Sequence, residues 1–233
     1  MRETADINQV EKNPIEIFDC LTDSELEMLS EKMVYRHYRK REVVCIEGKR
    51  INGIYIVYEG ILKIVKTGIN GKEQIIRFAR QGDIIGLCPV IENKVSDTTS
   101  CAISETTICY IPGDLLRMLF NNNFEFAFRL LRIICQELGE TNISLTNMSQ
   151  RSVRERTAHI LLLISDLFEI NTEQQPKKIL LNREDLANMV GATTESTIRM
   201  LSEFKSDNLI ELKGKRMKIL NARKLENLRK GHV

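Results

Sequence analysis

Between Asn182 and Phe204 the chain reads NREDLANMVGATTESTIRMLSEF, two short apolar periodicities broken at one glycine. Leu186, Ala187, Met189 and Val190 give the first helix an apolar face. Asn182 is placed to cap that helix, and Asp185 three residues on completes a capping box. Gly191 suits the left-handed conformation that ends a helix, and Thr193 is placed to cap the next one. Ile198, Leu201 and Phe204 are expected to pack inward, leaving Thr194, Glu195, Ser196 and Arg199 facing out together. The pattern predicts a helix-turn-helix whose second helix fits a DNA major groove. A helical hairpin buried in a core has the same periodicity.

The next segment favours the first, although a solvated hairpin with no partner would read the same way. Asn208–Leu220 reads NLIELKGKRMKIL, two apolar runs around the basic turn Lys213-Gly-Lys-Arg216. Short runs about a Gly-containing turn predict a β-hairpin. A cationic hairpin directly after a helix-turn-helix is a wing placed to touch phosphate oxygens. The charge distribution agrees: from Arg151 onward there are 16 Lys+Arg against 11 Asp+Glu, and before it 18 against 21. A mildly acidic first part joined to a basic second part fits a regulatory module attached to a DNA reader.

Upstream, Leu21, Leu26, Leu29 and Met33 recur at helical spacing, with Thr22 or Asp23 as cap, and predict a helix over 21–34. From Glu42 to Ile111 the pattern changes to short β-rich runs at 43–46, 54–58, 62–66, 74–79, 84–85, 98–103 and 107–111. Turn signals such as Asn52-Gly53, Asn70-Gly71 and Gln81-Gly82-Asp83 separate them. Short strands at regular spacing predict an antiparallel roll. Pro112 suits a first helical position, and Leu115, Leu116, Leu119 and Phe120 share a face after it.

A long helix is then expected from Asn123 to about Ser149. Leu131, Leu138 and Leu145 fall seven apart, and Ile134, Thr141 and Met148 form a second row beside them. Two heptad rows read as the seam of a parallel two-stranded coiled coil, which predicts a homodimer, while a helix packed on its own β-domain is the other reading and both are expected on different faces. The run Ile160–Ile164 is apolar all round and implies a second small core, and 171–178, with Pro176, reads as a surface loop. The expected organisation is an effector-sensing roll with its N-terminal helix over 1–120, a dimerisation helix over 121–150 and a winged helix-turn-helix over 151–233. The fold class is α+β.

No apolar run approaches the roughly 18 residues that cross a bilayer, and the N-terminus has no apolar leader core, so a cytoplasmic protein is expected. The six Cys are scattered without metal-ligand spacing, which predicts free thiols and no metal site. No Ser/His/Asp or Cys/His constellation and no phosphate loop is present, so an enzyme is not expected.

Gly60-Ile-Leu-Lys-Ile64, Gly71-Lys-Glu73 with Ile75 and Ile76, Gln81-Gly-Asp-Ile-Ile-Gly86, Val153-Arg-Glu-Arg-Thr-Ala158 and Gly191-Ala-Thr-Thr-Glu-Ser-Thr-Ile-Arg199 occur in that order. Together they resemble the Crp/Fnr family of bacterial transcription regulators, over roughly Leu21 to Leu220. The resemblance implies a cyclic-nucleotide-binding-like β-roll and a homodimer on a two-fold symmetric site in double-stranded DNA. It also implies a small effector and contact with RNA polymerase. Glu195 and Arg199 match the family's base readers. A carboxylate accepts from cytosine N4, and a guanidinium donates twice to guanine O6 and N7. In the free protein the two are expected to pair as an exposed salt bridge. Cyclic-AMP-responsive members carry Arg where this chain has Thr194, so a thymine methyl contact is expected in its place. Thr193 and Ser196 complete the predicted reading end, with Arg183, Lys213, Lys215 and Arg216 on phosphates.

Cyclic-AMP-binding members also carry Gly-Glu-Leu, whose Glu holds the ribose, and an Arg-Ser pair on the cyclic phosphate. This chain has Gly86-Leu87-Cys88, and Ser96-Asp97 ahead of Thr98. Losing the ribose bond and facing a like charge would cost on the order of 2–5 kcal/mol. An effector other than cyclic AMP is therefore expected, near Arg77, Gly86, Leu87, Cys88, Thr98 and Thr99. Thr141 and Asn142 stand where relatives contact a purine, although a polar residue setting coiled-coil register reads the same way. An iron–sulfur cluster needs clustered N-terminal thiolates, and only Cys20 lies in that region. Some relatives sense carbon monoxide or nitric oxide through haem. His37, His159, Cys88, Cys101, Met33 and Met148 are the candidate axial ligands for that reading. From a different class, a ligand-binding regulatory subunit with a protein partner has the same two-part organisation.

Overall fold

The computed structural model describes residues 16–167, 182–214 and 216–231. The predicted loop at 171–178 and Lys215 lie outside the described residues. Two compact units are present, 1–138 and 139–233, and they meet within the long helix. That helix, assigned a segment of its own from its heptads, contributes its first part to one unit and its remainder to the other.

In the first unit a 3-10 turn at Glu16–Cys20 leads into α1, Asp23–Lys32. Thr22 caps α1 with a full capping box, because Glu25 returns a bond to the Thr22 backbone N–H at 2.9 Å. Eight strands follow: β1 Val34–Tyr38, β2 Val43–Cys45, β3 Gly53–Glu59, β4 Leu62–Thr67, β5 Glu73–Ala79, β6 Ile84–Ile85, β7 Thr99–Ala102 and β8 Thr106–Pro112. They form two four-stranded antiparallel sheets, in orders β1-β8-β3-β6 and β2-β7-β4-β5.

Register fixes where the core sits. On β3 and β8, Ile54 pairs with Ile111 and Ile56 with Cys109, and these face helical residues Leu29, Leu115, Leu119, Phe126 and Leu130. The alternate residues Tyr55, Val57 and Ile108 turn into the roll beside Leu62, Ile64 and Ala102. Successive strand side chains point to opposite faces, so this sheet is buried on both sides.

Short elements of this unit escaped the sequence pattern. Helix α1 stops at Lys32, two residues before the expected end, and the unexpected strand β1 begins at Val34. As an edge strand with mostly exposed residues, β1 shows no clean alternation. Helix α2, Leu87–Ile91, is too short for helical periodicity and contains Pro89. Pro112 ends β8 and caps the following helix, α3 Gly113–Asn122, with extended backbone, one position before the place expected for it. On α3, Leu115, Leu116 and Leu119 are buried, while Phe120 at the edge of that arc is exposed. Asn123 separates α3 from α4, Phe124–Gln150. Its side-chain oxygen accepts from Phe126 N, and its amide donates to Cys20 O and Glu25 Oε2.

In the second unit, α5 Val153–Leu167, α6 Arg183–Val190 and α7 Thr194–Ser206 precede the hairpin β9 Ile210–Lys213 and β10 Arg216–Ile219. Helix α8, Ala222–Arg229, closes the unit and packs on α5 through Leu225. Leu161 and Ile164 are buried as expected, but Leu163, about half a turn round from Leu161, is exposed. The α4–α5 junction is braced: Arg156 Nη1 donates to Met148 O at 2.6 Å, and Ser152 and Glu155 form reciprocal capping bonds.

Candidate nucleic-acid interface and sensor residues

The Asn182 side chain accepts from Asp185 N at 2.6 Å and starts α6. Gly191 ends it with φ 66° and ψ 43°, a left-handed conformation that a β-carbon disfavours. Thr193 Oγ1 then accepts from Ser196 N at 3.2 Å and starts α7. The cap residues read from the sequence are therefore the cap residues of the fold.

Helix α7 buries Thr197, Met200, Leu201 and Phe204. Its outward stripe is Glu195, Ile198, Arg199 and Ser202, with Thr194 and Ser196 half-buried at its flanks. Ile198 was expected to face the core and is instead 45% exposed. At 3.6 residues per turn it lies about 100° from Thr197, and Met200 takes the inward place. The expected Glu195–Arg199 salt bridge is also absent: neither residue forms an ion pair among the described residues. An exposed pair of this kind gains too little to hold two long side chains in one geometry.

What orients α7 is Arg154 on α5, a residue the sequence supplied only as part of a motif. Its guanidinium bridges Glu203 at 2.9 Å and Asp207 at 2.8 Å and lies over the Phe204 ring, 5.1 Å from the centroid. The signal in the sequence was the pair of carboxylates one turn apart at the C-terminal end of α7, but their partner is 49 residues from Glu203 and 53 from Asp207.

The hairpin pairs Lys213 with Arg216. Gly214 has φ 61°, as the favoured hairpin turns require. Lys213 is exposed and reaches Glu211 at 2.8 Å. That bond, with Lys218 and Lys205 nearby, holds the Glu211 carboxyl below its ordinary range. Lys205 and Lys218 thus join the cations expected on this edge. Arg183 is half-buried at the first position of α6.

The expected sensor residues are less assembled. Arg77 on β5 pairs with Glu137 of α4 at 2.7 Å, approaches Asp83 at 3.9 Å and donates to Ile84 O at 3.2 Å. Gly86 caps α2, Leu87 is buried in the helical core, and Cys88 is exposed. Burial, then the carboxylates of Glu137, Asp97 and Glu92, push the Cys88 thiol up. Ser96 is buried and donates to Thr98 O at 2.8 Å, and the Thr99 hydroxyl accepts from Glu47 N at 3.0 Å. Lys66 donates to Asp97 O at 2.6 Å and pairs with Glu47 at 2.7 Å. Thr141 and Asn142 are exposed and belong to the second unit.

On α4, Leu131, Leu138 and Leu145 are 51, 60 and 67% exposed. Thr141 is exposed beside them, and Ile134 and Met148 are half-buried. Several of the candidate haem ligands have partners of their own. His37 is exposed and hydrogen-bonded to Thr107, Met33 accepts from the Cys109 thiol, and the Cys101 thiol faces Ala102 O. His159 belongs to the second unit. No group of three or more metal-ligating side chains occurs among the described residues, and none of their helices is long and apolar enough to cross a membrane.

Two family models match the chain. The cyclic nucleotide-binding domain covers residues 35–123 and the Crp-like helix-turn-helix domain covers 155–228, together well over half of the sequence. The chain belongs to the Crp/Fnr family of transcription regulators. Among its Crp/Fnr relatives, the transcriptional activator protein FnrA of Stutzerimonas stutzeri is 24% identical over 80% of this chain and 77% of that protein. The CRP-like cAMP-activated global transcriptional regulator of Mycobacterium tuberculosis is 24% identical over 90% of this chain and 94% of that one. A crystal structure of a Crp/Fnr-family regulator from Eubacterium rectale matches with a TM-score of 0.81 at 18% identity, covering 94% of this chain and all of that one.

One titrating group in the DNA-binding unit of this Crp/Fnr chain carries a pH dependence. His159 on α5 is half-buried, and its Nδ1 finds no hydrogen-bond partner among the described residues. Burial first, then Arg229 and Arg151, lower its pKa from 6.5. Below about pH 6.5 the unfolded chain takes up a proton that the folded chain refuses, so stability falls as pH falls through that window. Thermal unfolding of the wild type between pH 7.5 and 5.5 should show this loss in the second unit, and His159→Gln should flatten it.

Proposed function

We propose that this Crp/Fnr protein is a homodimeric, sequence-specific DNA-binding regulator controlled by an effector other than cyclic AMP. The observation that carries the reading is the outward stripe of α7. Glu195 and Arg199 stand exposed one turn apart, free of ion pairs among the described residues, on a helix whose opposite face is fixed to α5 by Arg154. A carboxylate and a guanidinium so held suit a cytosine and a guanine in one half-site. Arg183, Lys213, Lys215 and Arg216 would sit on phosphates, where they position without specifying.

Dimerisation follows from α4. Leucines as exposed as Leu131, Leu138 and Leu145, in heptad spacing beside Ile134, Thr141 and Met148, are the seam of a parallel pair of helices. Two recognition helices would then read half-sites one helical turn apart.

Against cyclic AMP, Leu87 is committed to the core where a ribose-binding carboxylate would be needed, and exposed Asp97 would face the phosphate. Arg77 is the cation nearest the expected pocket, and Glu137 and Ile84 O already occupy it. An uncharged or weakly charged organic ligand fits these groups better than a cyclic phosphate.

Sites selected from random DNA test the reading. Glu195→Ala and Arg199→Ala should each lose about 1–3 kcal/mol of discrimination between the selected site and a scrambled one. Lys213→Ala should weaken both DNAs alike and lower the salt slope by about one. DNA affinity that ignores sequence would favour a regulatory subunit with a protein partner instead. In sedimentation velocity the wild type should run as a two-chain species and Leu138→Glu as a single chain with weakened site binding. Isothermal titration with millimolar cyclic AMP should give no heat of binding and leave DNA affinity unchanged; saturable heat coupled to tighter DNA binding would reject the effector assignment.

A further inference from the structure

A cavity of about 180 Å³ opens in the first unit between the β2–β3 connection, the end of α2 and the start of α3. None of its lining residues belongs to the expected effector pocket around Arg77, Leu87, Cys88 and Thr98. Its walls are tied together. Gly113 N donates to Asn52 O at 2.8 Å, and a β-carbon at Gly113 would stand only 3.1 Å from that oxygen and 3.2 Å from Val90 Cγ1. Arg50, Lys94 and Arg117 line the cavity against one carboxylate, Asp114, although acidic residues outnumber basic ones in this part of the chain. Lys94 is taken by Glu92 at 2.5 Å. Arg50 and Arg117 are exposed and form no ion pair among the described residues. The Arg50 guanidinium donates to the Asn93 side-chain oxygen, which fixes its orientation and leaves the Asn93 amide as a further donor.

We infer that this cavity is a second ligand site, which takes a small phosphate-bearing anion. Two guanidinium groups at one cavity repel each other until an anion lies between them. Each can give a phosphate two parallel hydrogen bonds, and the amides of Asn52 and Asn93 add neutral donors from the same walls. Volume sets the size of the ligand. The cavity lies below the roughly 300 Å³ at which pockets for drug-sized molecules begin, so it suits a phosphate group on a short carbon chain and excludes a nucleotide. Ile51, Pro89 and Val90 form an apolar edge placed to cover such a chain. Asp114 on the rim repels the same anion, so binding strengthens when that charge is removed. The site stands apart from the effector pocket and does not depend on which effector that pocket takes.

Isothermal titration of the full chain at constant ionic strength, with inorganic phosphate, glycerol 3-phosphate and glycerol, tests the site. The wild type should bind glycerol 3-phosphate saturably, with a dissociation constant of about 1 mM or tighter, and should not bind glycerol. Inorganic phosphate bound as tightly as the ester assigns the site to free phosphate, and a tighter ester assigns it to a phosphorylated metabolite. Arg50→Gln and Arg117→Gln should each weaken binding by about tenfold or more, while Asp114→Asn should tighten it. Melting temperatures of the arginine variants should match the wild type, because both side chains are exposed. No saturable heat with either phosphate, or equal affinity in the wild type and both arginine variants, overturns the proposal. Binding lost in Arg77→Gln but kept in both arginine variants would overturn it as well, by placing the anion in the effector pocket.

Discussion

The pairing of β3 with β8 is the constraint on which the first unit depends. Because Ile54 stands opposite Ile111 and Tyr55 opposite Tyr110, one strand pair supplies inward residues to two cores. One face receives α1, α3 and the start of α4, and the other fills the roll. A shift of one residue would exchange the two faces, sending Tyr55 and Tyr110 against the helices and Ile54 and Ile111 into the roll. The tyrosine rings, 5.1 Å apart, and Arg36 stacked 4.3 Å from the Tyr110 ring oppose that slip. In the other sheet the β4–β5 register sets Arg77 opposite Ile64, and its guanidinium reaches Glu137 on α4.

In the second unit the corresponding role falls to Arg154. A helix-turn-helix read only from caps and apolar spacing leaves the rotation of its second helix open by tens of degrees. A guanidinium forked between Glu203 and Asp207 and stacked on Phe204 removes that freedom at the C-terminal half of α7. The N-terminal half keeps Glu195, Ile198 and Arg199 turned outward.

The sensor side shows how family membership can fix a fold without fixing its ligand. The cyclic nucleotide-binding domain matches residues 35–123, and within that span several polar and apolar groups near α2 are engaged with the protein itself. Ser96 is bonded to Thr98 O, Leu87 is packed in the core, and Arg77 is bonded to Glu137.

By itself the sequence determined the caps, the strand runs and the order of the parts. Asn182, Gly191 and Thr193 act through neighbours within a few residues, and such contacts are legible in a chain. Most strands between Val43 and Ile111 were legible for the same reason, since alternation and turn residues are local. Elements too short or too exposed to show a period, such as β1 and α2, were not. Nor was the facing of Ile198, because periodicity gives an apolar arc but not its limits, and Met200 rather than Ile198 completed that arc. Tertiary structure alone decided which carboxylates Arg154 would hold, that Arg77 would meet Glu137, and that Glu195 and Arg199 would stay apart. Each of those outcomes is a competition among partners distant in the chain, settled by packing that no local pattern records.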